Sequence, residues 1–281
     1  MLRLIKNNLR YHTFNKFFFI AAAMLFFLGS RGAQRCGFNE NIYVMCYGIP
    51  IVCGVVLLNT NIENRSGSYR SKLTAGFTKR QIYFSHIISS ALCSLILFFI
   101  IAFPIYISAK NTYTTLDVPI TMLTLMMIYV LTAVVTACLH LNMTGVIKAV
   151  LTILFIFLVC IAAVKPTQDM LNEDRYNYEI IFDPSRVNTV GYDAAHVVIK
   201  TPNPDYPTGI KRAVLKTIAF TDPCSQIKYS ESVPDVDYFS EDPYNSDFVE
   251  IEYWCFPLIT LGIASAVSLL SYRSYRRKDL R

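Results

Sequence analysis

The residues with the clearest chemical purpose lie close together, in the stretch NIENRSGSYRSKLTAGFTKRQIYFS between Asn61 and Ser85. Tyr69, Leu73 and Phe77 are four apart and make one apolar stripe of a short helix, with Arg70, Lys72, Lys79 and Arg80 beside it. Gly67 and Gly76 bracket that helix. Side chains of these types do not make or break bonds. Their chemistry is docking: an aromatic and aliphatic ridge for a groove, and a cationic edge for an acidic rim. The same pattern suits a helix resting on anionic lipid, and the residues alone do not choose between the two.

Bond-making chemistry has little to work with. His12, His86, His140 and His196 are scattered, and no H-E-x-x-H occurs. No G-x-S-x-G elbow and no G-x-x-x-x-G-K-[ST] loop is present. The apolar runs offer no pair of carboxylates for an intramembrane aspartyl protease. The chain is therefore expected to hold no catalytic residue, no metal and no cofactor of its own. Of eight cysteines, Cys46, Cys53, Cys93, Cys138 and Cys160 fall in apolar runs, where a thiol acts as a small packing group. No C-x-x-C pair exists. Cys36 and Cys224 fall in connecting segments on one side and are the candidate disulfide.

What must position the 61–85 stretch is a membrane-embedded body. The 281 residues are 53% hydrophobic and only 16% charged, against about 25% charged in a soluble domain. The apolar residues cluster in six runs, near 14–29, 42–58, 81–107, 118–140, 146–164 and 252–272. A span needs roughly 20 residues to cross ~30 Å of hydrocarbon. Lys and Arg crowd one set of connecting segments: four in residues 1–16, five in 59–86 and five in 273–281, where the only acids are Glu63 and Asp279. The positive-inside rule puts that side, with both termini, in the cytoplasm. Nucleic acid is not the partner that this charge implies; the bilayer is. The fold class expected is mainly α, a polytopic membrane protein with six transmembrane helices and a small α/β extracellular insert between helices five and six.

Three regions follow. Residues 1–164 hold an interfacial helix, with Leu2, Ile5 and Leu9 on its apolar face, and spans one to five, with the docking helix near 63–83. Residues 165–251 are the insert, acidic and proline-rich, with strands at 178–182 and 197–199 and a helix at 208–220 whose Ile210, Val214 and Ile218 share a face. Residues 252–281 are span six and a basic tail. Within the spans Thr132, Thr136 and His140, then Ser85, Ser89 and Cys93, then Thr260, Ala264 and Ser268 recur every four residues. Small and hydroxyl residues at that spacing let helices approach, so packing is the expected role. Pro50, Pro104 and Pro257 are expected to kink their helices.

The stretch Glu63-x-x-x-Gly67, Tyr69-Arg70-Ser71-Lys72-Leu73, Gly76 and Lys79-Arg80-Gln81-Ile82-Tyr83 resembles the membrane subunits of ATP-binding-cassette exporters of the type-2 permease family. There an E-x-x-x-G-[TS] stretch leads into a coupling helix, and an (S/T)-R-x-x-[IL] stretch opens the third span. Here the latter reads Thr78-Lys79-Arg80-Gln81-Ile82, one basic residue longer. Asn203-Pro204-Asp205-Tyr206 with Gly209-x-Lys211-Arg212, and the tail Tyr275–Arg281, resemble segments of such permeases in Gram-positive bacteria. The insert is larger than that family requires.

The resemblance implies a permease subunit in a bacterial plasma membrane, an exporter that is not itself an enzyme. Its partners would be a cytoplasmic ATPase subunit, which brings the ATP and magnesium, and a second permease subunit. Glu63, Gly67, Tyr69, Arg70, Lys72, Leu73, Gly76, Phe77 and Arg80 would be the coupling element. Tyr69, Leu73 and Phe77 would fill the ATPase groove, and Arg70, Lys72 and Arg80 would meet its acidic rim. The rival reading is a non-transporting receptor or assembly protein that binds a ligand with the insert.

Overall fold

An unbroken apolar run has no water to satisfy its backbone, so its amides and carbonyls bond within the segment and it becomes a helix. Such helices dominate the computed structural model of the chain. The residues described are 1–35, 42, 44–109, 117–143, 150–152, 154, 176–182, 196–223, 226 and 253–277. The helices α1 (Leu2–Thr13), α2 (Lys16–Arg35), α3 (Gly48–Arg65), α4 (Ser68–Thr74), α5 (Lys79–Ala109) and α6 (Asp117–Asn142) come first. A hairpin of β1 (Tyr176–Phe182) and β2 (His196–Pro202) follows, then α7 (Gly209–Thr221), a 3-10 turn at Tyr253–Cys255, and α8 (Phe256–Arg277). Five of these helices, α2, α3, α5, α6 and α8, are long and apolar enough to cross a membrane. The chain thus has the build of a multi-pass membrane protein. Of the run 146–164, only 150–152 and 154 are described, and they are helical. The rest of that expected span lies outside the described residues, as do Cys36 and Cys224.

The chain divides into two compact units. The larger holds the helical body and takes in residues 1–162, 220–234 and 252–281. Within it α6 packs against α5, α3 and α8, and α5 also carries α2 and α1. The hydroxyl stripes face this interior: Ser85, Ser89, Thr132, Thr136, Thr260 and Ser268 are all buried. Tyr83 ties α5 to both α6 and α8, with its hydroxyl donating to the Ser268 carbonyl at 2.9 Å and lying 3.3 Å from Cys138 Sγ. Gln226 seals the end of α8: its amide donates to the Phe220 carbonyl at 2.6 Å and accepts from Thr260 Oγ1 at 2.7 Å. Helices α2 and α5 meet at Gly29, where a Cβ would collide with the Ile101 carbonyl oxygen and the Pro104 ring.

Proline behaves differently from the expectation at two of three places. Pro104 lies inside α5, but Pro50 and Pro257 sit in the first turns of α3 and α8. No intrahelical bond is lost there, and proline's fixed φ helps the helix start.

The smaller unit, residues 163–219 and 235–251, contains the hairpin and most of α7. Strands β1 and β2 run antiparallel, with Tyr176 opposite Pro202 and Phe182 opposite His196. Both strands and the helix fall where the sequence places them.

Candidate functional site

The 61–85 stretch folds as a helix end, a short helix and a helix start. Glu63 sits in the last turn of α3. Gly67 then takes the left-handed conformation, φ 66°, and turns the chain into the seven-residue α4. Gly76, φ 85°, turns it again. A side chain at either position would strain the backbone, which is why glycine brackets α4. Helix α5 opens on a reciprocal cap: Gln81 N donates to Thr78 Oγ1 at 3.2 Å, and Thr78 N donates to Gln81 Oε1 at 3.0 Å. That pairing is the physical content of the Thr78–Ile82 motif.

Inside this turn of chain lies a buried charge cluster. The Glu63 side chain is 3% exposed, His12 1% and His86 0%. Glu63 Oε1 lies 3.3 Å from His12 Nε2. Its Oε2 lies 3.2 Å from Lys72 Nζ and 3.2 Å from His86 Nδ1. One carboxylate thus joins α1, α3, α4 and α5. The Tyr69 ring meets His86 edge-on at 6.1 Å, and Lys72 Nζ stands 5.3 Å above Tyr69. Thr60, one turn before Glu63, holds the far side of His86, with Oγ1 3.0 Å from Nε2. A cleft of about 420 Å³ between α1 and α4 reaches Glu63, lined also by Asn8, Tyr11, Ser71 and Lys72.

Burial governs the electrostatics. It pushes the His12 pKa below the usual imidazole value, only partly opposed by the hydrogen bond to Glu63. Burial, reinforced by the Glu63 charge, pushes the Tyr69 phenol well above its ordinary value. Both groups are therefore neutral beside an anion, and Lys72 supplies the compensating charge. A carboxylate left unpaired at this depth would cost several kcal/mol, so the partners are structural as well as chemical.

The structure redirects part of the expected docking surface. Tyr69 is buried, and Leu73 and Phe77 are half-buried against the helical core. The apolar stripe of α4 therefore faces the body of its own chain. Lys72 points at Glu63, away from any outer rim. Of the residues singled out, Arg70, Gly67, Gly76 and Arg80 are exposed. The reason is the buried carboxylate, which draws in the neighbouring cation and the ring beside it. Helix α1 is turned as well. Its buried stripe is Leu4, Asn8 and His12, while Leu2 is exposed and Ile5 and Leu9 are half-buried. Asn8 Nδ2 donates to Ser85 Oγ at 3.2 Å and Ser89 Oγ donates to the Ile5 carbonyl at 3.3 Å, so polar partners on α5 outbid plain apolarity.

His12 and His86 belong to this candidate site, and the sequence alone did not single them out. Their signal was present but faint: Leu4, Asn8 and His12 share one face of α1, and His86 adjoins the Ser85 and Ser89 stripe. Among known proteins, no family model matches the chain and no curated sequence is similar to it.

Proposed function

We propose that the chain is the membrane-spanning subunit of an ATP-binding-cassette exporter. On this reading it has six spans with both termini cytoplasmic, sits in a bacterial plasma membrane, pairs with a second permease subunit, and is driven by a separate cytoplasmic ATPase that binds the ATP and magnesium. The observation that carries the reading is the Glu63–Lys72 pair, set within the buried cluster. A force applied to α4 from below acts through Lys72 on a carboxylate that also holds α1 and α5. Short, glycine-bracketed and tied at one buried point, α4 is built as a lever. The ATPase contacts its outer face, with Arg70 and Arg80 meeting acidic residues; Tyr69, Leu73 and Phe77 brace the lever from within.

The test is purification of the tagged full chain from its native membrane. A stoichiometric ATPase is expected to come with it, and Arg70→Glu combined with Arg80→Glu is expected to release that ATPase while leaving the chain inserted. No ATPase with the native chain, or full retention by the double variant, overturns the proposal. The receptor reading finds support in α7, where Ile210 is 84% exposed and Val214 and Ile218 extend the same exposed face. Purification of the chain alone, with no ATPase, is the outcome it requires.

A further inference from the structure

We propose that His12, Glu63 and His86 form a binding site for a divalent transition-metal ion of the zinc class, with Lys72 competing for the shared carboxylate. This site does not depend on the transporter reading.

Counting protons at His86 leads to it. Thr60 has one hydroxyl proton, and Oγ1 donates it to the Val56 carbonyl at 2.8 Å. Thr60 therefore accepts from His86, which places a proton on Nε2. Nδ1, the ring's other nitrogen, then lies 3.2 Å from Glu63 Oε2, deep among α1, α3 and α5. Nδ1 has no hydrogen-bond partner at that distance, so the ring nitrogen is aimed off the direct line to the oxygen. A metal held between the two atoms fits both the short separation and the off-line aim. Zinc bound at about 2.0–2.1 Å by nitrogen and oxygen sits off the line joining its ligands, which then lie roughly 3.2–3.5 Å apart. The His12–Glu63 separation, 3.3 Å, is that of a hydrogen bond and falls in the same range, so an ion there takes the place of the proton between them.

The surroundings have the features of a metal site. The three ligand atoms all lie within 4.8 Å of one another and come from three helices. A ligating histidine characteristically gives its other N–H to a fixed oxygen, which is what Thr60 provides. The cleft between α1 and α4 offers a way in for the ion and room for a water as fourth ligand. Two imidazoles and one carboxylate select zinc, cobalt or nickel over magnesium or calcium. Lys72 Nζ, on the same oxygen at 3.2 Å, is the built-in competitor: the ion and the ammonium cannot both have it. The lysine is 14% exposed and can swing outward.

The experiment uses the full chain in detergent, stripped of metal and titrated with Co2+ as a spectroscopic probe. One Co2+ per chain is expected, with the absorption of a low-coordinate nitrogen and oxygen site, displaced by Zn2+. His12→Gln and His86→Gln are each expected to weaken it at least about 100-fold, beyond the 10–100-fold typical of an outer-shell partner. Lys72→Met is expected to tighten it roughly tenfold or more, because a competing charge is gone. No Co2+ band, or an affinity unchanged from the native chain in either histidine variant, overturns the proposal. If those variants do not fold, Lys72→Met decides alone: unchanged or weaker binding overturns it.

Discussion

Thr132 illustrates how a hydroxyl sits inside an apolar helix. Its Oγ1 bonds back to the carbonyls of Ile128 and Tyr129 in its own helix, each at 2.9 Å, and asks nothing of a neighbour. Glu63 is the opposite case, since the ion-pair partners of its carboxylate, His12, Lys72 and His86, all lie on other helices. The two sites should therefore respond differently to loss of polarity. Thr132→Val is expected to change stability by less than about 1 kcal/mol. Glu63→Gln should cost about 2–4 kcal/mol, because it strands a buried histidine pair and a lysine. Thermal unfolding of both variants in one detergent checks the ordering. Equal midpoints would mean that the cluster carries no stability.

Helices α2 and α5 touch where Gly29 lets the backbone come close, against Ile101 and Pro104. Closeness of this kind belongs to the pair of helices and is invisible in either alone. Gly29→Ala is expected to push them apart and lower stability by about 1–3 kcal/mol. Gly54, inside α3, has nothing near the position of a Cβ. Gly54→Ala should be neutral or stabilising by up to about 1 kcal/mol, since alanine loses less freedom in a helix. Measured together by thermal unfolding, Gly29→Ala must lower the midpoint and Gly54→Ala must not, or the close approach is not what holds α2 in place. The contrast also shows why two glycines in apolar runs look alike in sequence. Local spacing says that a residue is small, whereas contact says whether smallness is required.

At the scale of the whole molecule, the helices and the hairpin were legible because apolar length and alternation are local properties. The local fold of the 61–85 stretch was legible in outline too: both bracketing glycines adopt positive φ, and Thr78 and Gln81 cap a helix. Direction was not. Four-residue spacing shows that Tyr69, Leu73 and Phe77 share a face, but it does not say whether that face looks in or out. The Glu63 cluster was hidden for another reason, since His12 stands 51 residues away in the chain. The proposed six-span arrangement makes a prediction of its own. In a cysteine-free background, Ser71→Cys and Arg277→Cys should react with an impermeant reagent only after the membrane is opened, while Ile210→Cys reacts in intact cells. Labelling of all three from outside would sink that arrangement. The cluster also sets an order of birth. His12 leaves the ribosome first, Glu63 later and His86 last, so a nascent chain carries its acid into place before the base that completes the set. The opening helix can settle for good only once the third long helix has begun to emerge, which makes early biogenesis one cooperative event.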